Sequence, residues 1–236
     1  MNNIYKIYTL LLEKYGPQGW WPFLTHDEIS KSKTGNIYGY HKGDYSFPKN
    51  QEQVFEVALG SILTQNTTFV SVVKVLTNLQ NINCLTSESI KNMDIEVLKN
   101  AIRPAGYFNQ KANYILNFCE FYDALGGRVP SREELLQVKG VGEETADSIL
   151  LYGYNQAQFK IDAYTKRVLV ELGLIDEKAK YKDMKALMES SLKEITTDEE
   201  ELRIIYQEYH ALIVDHSKRY YSKKPYGVGC FLKEIV

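Results

Sequence analysis

The stretch Leu135–Gly153, LLQVKGVGEETADSILLYG, places two glycines between two apolar segments of helical spacing. Gly140 and Gly142 flank a single valine, so the backbone between the two helices can turn tightly and expose consecutive N–H groups. The second helix adds the positive end of its dipole, and such a turn can bind a phosphate with main-chain amides alone. In that case the carboxylates of Glu143 and Glu144 would point away from the bound phosphate. A tight turn between two helices, without a ligand, is the structural alternative.

Apolar residues recur at helical spacing along nearly the whole chain, and no series of alternating strands interrupts them. Ser131 and Glu134 predict a capping box at one helix start, and Gly126 and Gly127 are typical helix terminators. The predicted helices span Asn3–Tyr15, Gln51–Gln65, Phe69–Leu79, Ile95–Ile102, Asn109–Leu125, Arg132–Val138, Glu143–Tyr152, Asp162–Leu172, Tyr181–Glu194 and Glu199–His216. The exception is Thr34–Pro48, TGNIYGYHKGDYSFP, which predicts a loop or a short hairpin. The predicted fold class is therefore mainly α.

The composition is that of an ordinary globular protein. Of the 236 residues, 44% are hydrophobic and 25% are charged, which allows one large domain or two small lobes. No apolar run approaches the roughly 20 residues that span a bilayer. The N-terminal segment has no cleavable apolar core. Three widely spaced cysteines form no CxxC metal signature, so we expect a cytoplasmic protein without a metal.

The segment KIDAYTKRVL places Asp162 at a helix start, 20 residues after Gly142. A glycine hairpin followed by an aspartate at this interval resembles the helix-hairpin-helix DNA glycosylase superfamily, in its endonuclease III-like branch. Four more segments match that branch in order: GWWP at 19–22, LGSILTQNTTF at 59–69, IRPAGYFNQKA at 102–112 and EYHALIVDHSK at 208–218. The resemblance covers most of the chain, although Thr34–Pro48 has no counterpart.

The resemblance implies two helical lobes with an active-site cleft between them. A six-helix lobe that contains the helix-hairpin-helix would span residues 51–153. The second lobe would combine N- and C-terminal helices from residues 1–25 and 160–236, and residues 26–50 would form a loop or hairpin insertion. In this family the hairpin binds the DNA backbone, which here assigns that contact to Gly140, Val141, Gly142 and Thr145.

The family also assigns roles to three polar residues. Asp162, ionised at pH 7, would stabilise positive charge at the sugar C1′ by preorganised electrostatics. Aspartate is also a preferred helix N-cap, and the two roles can coexist. Lys218 matches a lysine near the active site, with a phosphate contact as the alternative. Gln65 matches the residue that enters the opened duplex, with a bond to nearby backbone as the alternative.

GWWP and Phe69 resemble most closely the base pocket of the 3-methyladenine DNA glycosylase III branch. There, two adjacent tryptophans and a phenylalanine enclose the excised base, and the matching residues here are Trp20, Trp21 and Phe69. An electron-rich ring over a cationic base gains roughly 0.5–2 kcal/mol. The alternative is that these rings only pack between lobes. Adjacent tryptophans point in different directions, so we expect one of them to be structural.

Two departures from the family pattern narrow the activity. Members with lyase activity carry a lysine just after the hairpin, where this chain has Glu144, and a carboxylate cannot form a Schiff base with the sugar. Many relatives also hold a [4Fe–4S] cluster with four cysteines near the C-terminus. In the matching tail only Cys230 is left, and the other three positions hold Tyr221, Gly227 and Val236. One thiolate cannot hold such a cluster.

The sequence therefore predicts a monofunctional DNA N-glycosylase of base excision repair that flips out and hydrolyses alkylated purines of the 3-methyladenine type. It would act as a monomer on double-stranded DNA containing a damaged base, without a cofactor and away from membranes, beside the nucleoid of a prokaryotic-type cell. Leu212 stands where the 3-methyladenine DNA glycosylase III branch has a lysine, which leaves the substrate open. A glycosylase for uracil or mismatched thymine, and a non-catalytic helix-hairpin-helix module, are the alternatives.

Overall fold

The computed structural model describes residues 2–24, 29–32 and 35–234, which are mainly α-helical, as predicted. The helices are α1 Asn3–Tyr15, α2 Gln51–Leu63, α3 Phe69–Asn81, α4 Ser87–Lys91, α5 Ile95–Ile102, α6 Phe108–Leu125, α7 Arg132–Gln137, α8 Glu143–Ser148, α9 Ala163–Glu171, α10 Tyr181–Lys193 and α11 Glu199–Tyr220. Strand β1, Ile29–Ser32, pairs antiparallel with β2, Gly35–Tyr38, so that Ile29 lies opposite Tyr38. Thr34, the first residue of the segment predicted as a loop or short hairpin, and Val236 lie outside the described residues.

The chain divides into two compact units. The first combines Met1–Trp20, Lys42–Tyr45 and Gln156–Val236, and the second combines Trp21–His41 with Ser46–Asn155. Within the described part of the chain, no helix is both long and apolar enough to cross a membrane.

Helix α2 lies at the centre of the second unit, and all of its residues from Gln53 to Leu63 are buried. The core around it collects apolar side chains from α3, α5, α6 and α8. Ser131 caps α7, and Glu134 completes the capping box by accepting the Ser131 N–H, which confirms that prediction. Val141 and Ala146 belong to this core, so the glycine turn and α8 are each attached to the core by a buried side chain.

Helix α11 is the longest element of the first unit, with 22 residues, and α1 and α9 pack against it. The hydroxyl of Tyr209 donates to the carbonyl of Ile4 at 2.8 Å, and the Tyr8 and Tyr209 rings lie 5.3 Å apart. The N-terminal and C-terminal helices therefore share one core, across about 200 residues of sequence.

Candidate active site and DNA-binding hairpin

Asp162 is the N-cap of α9. Its Oδ1 accepts hydrogen bonds from the Thr165 N–H at 2.7 Å and from the Thr165 hydroxyl at 3.0 Å. Its Oδ2 lies 3.2 Å from Nε2 of His210 on α11. The N-cap role is thus present, and the second oxygen contacts a histidine that the sequence reasoning missed. Spacing alone could not pair His210 with a residue 48 positions away.

The neighbours of Asp162 decide its charge. Burial by itself would raise the pKa of this carboxyl, but the hydrogen bond from His210 and the positive charge of Lys160 outweigh it. The N–H of Thr165 acts in the same direction, so the pKa lies below its ordinary value. Lys218 is half-buried, and burial lowers the pKa of its amine against the opposing charges of Asp215 and Asp162. Asp162 is therefore an anion at neutral pH, with two lysines within electrostatic range.

The glycine turn between α7 and α8 depends on Gly140 and leaves space at Gly142. Gly140 has a φ of 104°, and a Cβ there would lie 2.2 Å from Cγ of Tyr114. Val141 is buried, and its N–H donates to the Val138 carbonyl at 2.9 Å. Gly142 is the N-cap of α8, with open space at its Cβ position and no side-chain cap. The uncapped amides at this helix start are the donors that an anion needs.

Gln65 follows α2 and contacts the same turn. Its Nε2 donates to the Gly140 carbonyl at 2.8 Å and to Oγ1 of Thr145 at 3.1 Å. Thr145 is itself buried. In this structure Gln65 therefore makes the backbone bond that the sequence analysis left as an alternative, and the Thr145 hydroxyl is engaged by the glutamine.

Glu143 is the first of two acidic residues that directly follow the glycine turn, and an arginine lies beside its carboxylate. Oε1 of Glu143 lies 3.5 Å from Nη2 of Arg132 on α7. Arg132 also holds the fully buried Asp147 through two contacts, at 2.8 and 3.2 Å. The Glu143 carboxylate thus lies beside a guanidinium, which offsets its charge near the turn.

Trp21 and Phe69 lie together in the second unit. Their ring centroids are 5.3 Å apart at an interplanar angle of 84°, and Tyr152 lies 5.8 Å from Trp21. Trp21 is only 2% exposed, and a Cβ on Gly60 would lie 2.8 Å from its Cζ2. Phe69 is half-buried, as is Trp20, which belongs to the first unit. Trp21 is therefore a core residue that supports Phe69, whereas Trp20 and Phe69 keep exposed surface.

Gly39, His41 and Phe47 hold the backbone next to Trp21 within the second unit. The Phe23 N–H donates to the Gly39 carbonyl at 2.9 Å, and a Cβ on Gly39 would overlap the Phe23 carbonyl oxygen at 1.9 Å. Nε2 of His41 lies 2.9 Å from the Trp21 carbonyl, and its ring stacks on Phe47 at 4.5 Å. The segment without a family counterpart thus supports the tryptophan segment.

Glu208 holds the backbone next to Trp20 within the first unit. Its carboxylate accepts the Gln18 N–H at 2.5 Å and the Tyr45 hydroxyl at 2.9 Å. Burial raises the pKa of Glu208, against these bonds and a further one from the Gly19 N–H. The backbone immediately before Trp20 is therefore fixed.

Tyr107 is a further residue that the sequence reasoning missed. It is 66% exposed and has a φ of 48°, at the start of α6. A bulky exposed side chain in left-handed backbone is uncommon. The sequence signal was the tyrosine directly after Gly106 in IRPAGYFNQKA. An exposed ring held in this way can stack on a nucleic acid base.

The C-terminal tail is held by hydrogen bonds to Cys230. Its buried Sγ accepts from the Tyr221 hydroxyl at 3.2 Å and lies 3.2 Å from Nε2 of His216. Nδ1 of His216 lies 2.9 Å from the Tyr15 hydroxyl. Burial lowers the pKa of His216 to about 4, so its ring is neutral. With tyrosine and glycine at two of the former cysteine positions, the residues present do not fit a [4Fe–4S] cluster.

Comparison with known proteins identifies the family. Residues 59–194, more than half of the chain, match the HhH-GPD superfamily of base excision DNA repair proteins. The chain belongs to this superfamily. As an HhH-GPD protein it is a DNA glycosylase of base excision repair, and its hairpin and Asp162 both lie within the matched residues.

Three relatives illustrate the similarity of this HhH-GPD protein. A protein of Methanocaldococcus jannaschii named as a DNA repair glycosylase is 39% identical, over 98% of this chain and 94% of its own. Endonuclease III of Sulfolobus acidocaldarius is 31% identical, over 77% and 80%. The crystal structure of H. pylori 3-methyladenine DNA glycosylase (MagIII) bound to 1,N6-ethenoadenine matches with a TM-score of 0.68 and 25% identity, over 93% and 98%.

Proposed function

We propose that this protein is a monofunctional DNA N-glycosylase that releases alkylated purines of the 3-methyladenine type and leaves the abasic strand intact. The observation that carries the proposal is the half-buried, anionic carboxylate of Asp162, held at the start of α9 by Thr165 and His210. An anion fixed in this way stabilises positive charge that develops at C1′ as the glycosidic bond breaks. A cationic purine is already a good leaving group, so no strong general acid is required.

On this proposal the hairpin binds the DNA backbone, and the damaged nucleotide leaves the stack at a cost of a few kcal/mol. The N–H groups of Gly142 and of the first turn of α8 donate hydrogen bonds to a phosphate. Gln65 leaves the Gly140 carbonyl and Thr145 to enter the gap, and Tyr107 stacks on an exposed base beside it. Lys218 contributes positive charge near the sugar-phosphate backbone.

The base is assigned to aromatic residues. Within the second unit, Phe69 keeps exposed surface and Trp21 is buried against it. Stacking of a base on such rings is worth about 1–3 kcal/mol, and a positive charge on the base adds cation–π attraction. The H. pylori relative, whose structure contains 1,N6-ethenoadenine, supports a modified adenine as ligand.

The absence of lyase chemistry is part of the proposal. Glu144 stands where lyase members of the family carry their nucleophilic lysine, and Lys139 lies before the turn. Without an amine at that position no Schiff base links protein and sugar. Borohydride should therefore trap no covalent complex between the protein and an abasic duplex, under conditions in which an endonuclease III gives one. Trapping would show that another amine, such as Lys218 or Lys160, has taken over.

The deciding experiment compares base release from methylated duplex DNA by the wild type, Asp162→Asn and Asp198→Asn. Asp198 is a matched control because it also caps a helix, by accepting the Glu201 N–H at 2.8 Å, and asparagine caps nearly as well. We expect 3-methyladenine release by the wild type and Asp198→Asn, only a small residual rate above the uncatalysed loss by Asp162→Asn, and uncut abasic DNA as product.

Other results would redirect the assignment. Release of uracil or mismatched thymine, without release of alkylated purine, would change the proposed substrate and leave the proposed glycosylase reaction in place. Lesion-specific DNA binding without release of any base from a panel of alkylated, deaminated and oxidised duplexes would leave a binding module. Gel filtration of the protein with one duplex tests the proposed monomer.

A further inference from the structure

Two different helices hold the two oxygens of the Asp162 carboxylate. Oδ1 is fixed to the first turn of α9 by the amide and hydroxyl of Thr165. Oδ2 lies 3.2 Å from Nε2 of His210, in the middle of α11. The cap bonds hold Oδ1, and the contact with His210 holds Oδ2. Together the two contacts restrict rotation of the carboxylate about its bond to Cβ, and the contact with His210 is the one that leads away from α9.

The direction of this hydrogen bond follows from charge. An ionised carboxylate accepts and cannot donate, so Nε2 of His210 must carry the hydrogen. His210 is 2% exposed, and burial lowers its pKa. The positive charges of Lys160 and Lys218 act in the same direction, whereas Asp162 opposes them. The ring is neutral at pH 7, because burial and the two lysine charges lower its pKa more than the single carboxylate raises it.

A neutral donor and a cationic donor would have opposite consequences for the chemistry. An imidazolium beside Asp162 would form an ion pair and offset the negative charge that stabilises C1′. A neutral imidazole orients the carboxylate and leaves its charge available. Lys160 precedes α9 and is 7% exposed, and Lys218 lies two turns along α11, so the two ammonium groups disfavour protonation of the ring from different elements.

We propose that His210, through an Nε2–H donated to Oδ2, is the positioning residue for the Asp162 carboxylate. The inference rests on the proposed function, since it takes Asp162 as the group that acts on the sugar. His210 itself touches no substrate atom in this account. Its effect is exerted wholly through the plane and the charge of Asp162.

The first test is independent of activity. Long-range 1H–15N correlation spectra of the full-length protein labelled with 15N-histidine report the charge and tautomer of each ring, with assignment by His→Gln variants. We expect His210 to be neutral with its hydrogen on Nε2 between pH 6 and 8. An imidazolium, or a hydrogen on Nδ1, at pH 7 would overturn the proposal, whatever the enzyme releases. The expected tautomer in a protein that releases no base would instead overturn the proposed function.

The second test uses single-turnover base release as a function of pH. His210→Gln keeps an N–H donor of similar reach and removes the titrating ring, so the acid limb of the profile should move to lower pH with at most a several-fold loss of rate. His210→Leu removes the donor, and the half-buried carboxyl then loses the bond that lowers its pKa. Its acid limb should therefore lie at higher pH than that of His210→Gln, and its maximal rate should fall about 10- to 100-fold because the carboxylate is misplaced.

Three controls separate positioning from folding. His216→Gln changes another buried histidine of α11, which contacts Tyr15 and Cys230, and should leave the acid limb in place. Affinity for a duplex with a tetrahydrofuran abasic analogue should change less than threefold in His210→Leu. In an Asp162→Asn background, His210→Leu should cause no further loss of rate. Acid limbs that coincide in the two His210 variants, or additive losses with Asp162→Asn, would overturn the proposal.

Discussion

Phe69 is the first residue of α3, and Thr68 fixes that helix start by accepting the Ser71 N–H. The edge-on contact with Trp21 therefore places the Phe69 ring at a defined angle. Because stacking and cation–π attraction act on the extruded base alone, Phe69→Ala should slow release of methylated purine at least tenfold. Duplex affinity should stay within threefold. Quantified base release and a binding titration check this.

The control for Phe69 is Phe121→Ala on α6, where a partly buried ring packs on the core of the same unit. It should lower the melting temperature without a selective loss of base release. Equal losses of release and binding in Phe69→Ala would count against a base-contacting ring.

Glu56 gives stability a pH dependence. Burial raises the pKa of this carboxyl to about 7, against the hydrogen bond from the Leu24 N–H at 3.0 Å. Between pH 4.5 and 7 the folded state therefore holds the proton more tightly than the unfolded chain, and the free energy of unfolding falls as pH rises through that window. Glu56→Gln keeps the acceptor without the charge. We expect the free energy of unfolding of this variant to exceed that of the wild type by up to about 3 kcal/mol at pH 8, with little difference at pH 5.

Urea unfolding at the two pH values measures this difference. Glu52→Gln on the exposed first turn of α2 is the matched control and should show no such change. A Glu56→Gln variant that is less stable than the wild type at pH 8 would mean that the ionised carboxylate stabilises the fold.

At the scale of elements, the helix–turn–helix can be tested with its own two glycines. Gly140→Ala forces a side chain into left-handed backbone and against Tyr114, so the turn should deform and the protein should lose about 1–3 kcal/mol of stability. Gly142→Ala places its methyl group in open space with an ordinary φ of −95°. Its stability should stay within about 0.5 kcal/mol.

If the turn accepts a DNA phosphate, the methyl group of Gly142→Ala stands beside the donors and should weaken duplex binding about tenfold despite the intact fold. Thermal unfolding and a binding titration on the same samples separate the two glycines. Wild-type affinity in a well-folded Gly142→Ala would argue that the turn is only a connection between helices.

At the scale of the whole molecule, Cys230 closes a network that joins the tail to α11 and α1. Cys230→Ala leaves Nε2 of His216 and the Tyr221 hydroxyl buried without the sulfur that contacts them. Each such group costs about 1–3 kcal/mol. We therefore expect a loss of about 2–4 kcal/mol, measured by chemical denaturation, and no change when a metal chelator is added to the wild type.

Cys84→Ala is the control for the tail, because that thiol is partly exposed and donates to the Ile82 carbonyl, two residues away, at 3.2 Å. Its effect should stay within about 0.5 kcal/mol. A melting temperature that drops with chelator would show that a bound metal, and not this hydrogen-bond network, holds the tail.

Local features of this protein could be predicted from the sequence because neighbouring residues determine them. Helical periodicity and the Ser131 capping box depend on residues a few positions apart, and both are present in the structure. Element ends were less predictable. The helix predicted over Glu143–Tyr152 ends at Ser148 and continues as a π-helical turn over Ile149–Gly153, where the Tyr154 N–H donates to Ile149. The short helix α4 was missed, since five residues show no clear period.

What only the tertiary structure decided rests on contacts between distant residues. The sequence pattern could not show which tryptophan is buried, because that depends on the space left by Gly60. Nor could it show that His41 contacts the Trp21 backbone. It could not pair His210 with Asp162 across 48 positions. Sequence by itself determined the helices, the turn and the residue types available for chemistry. The fold decided which of them meet and which charges they carry, since burial and proximity arise only when the chain closes on itself.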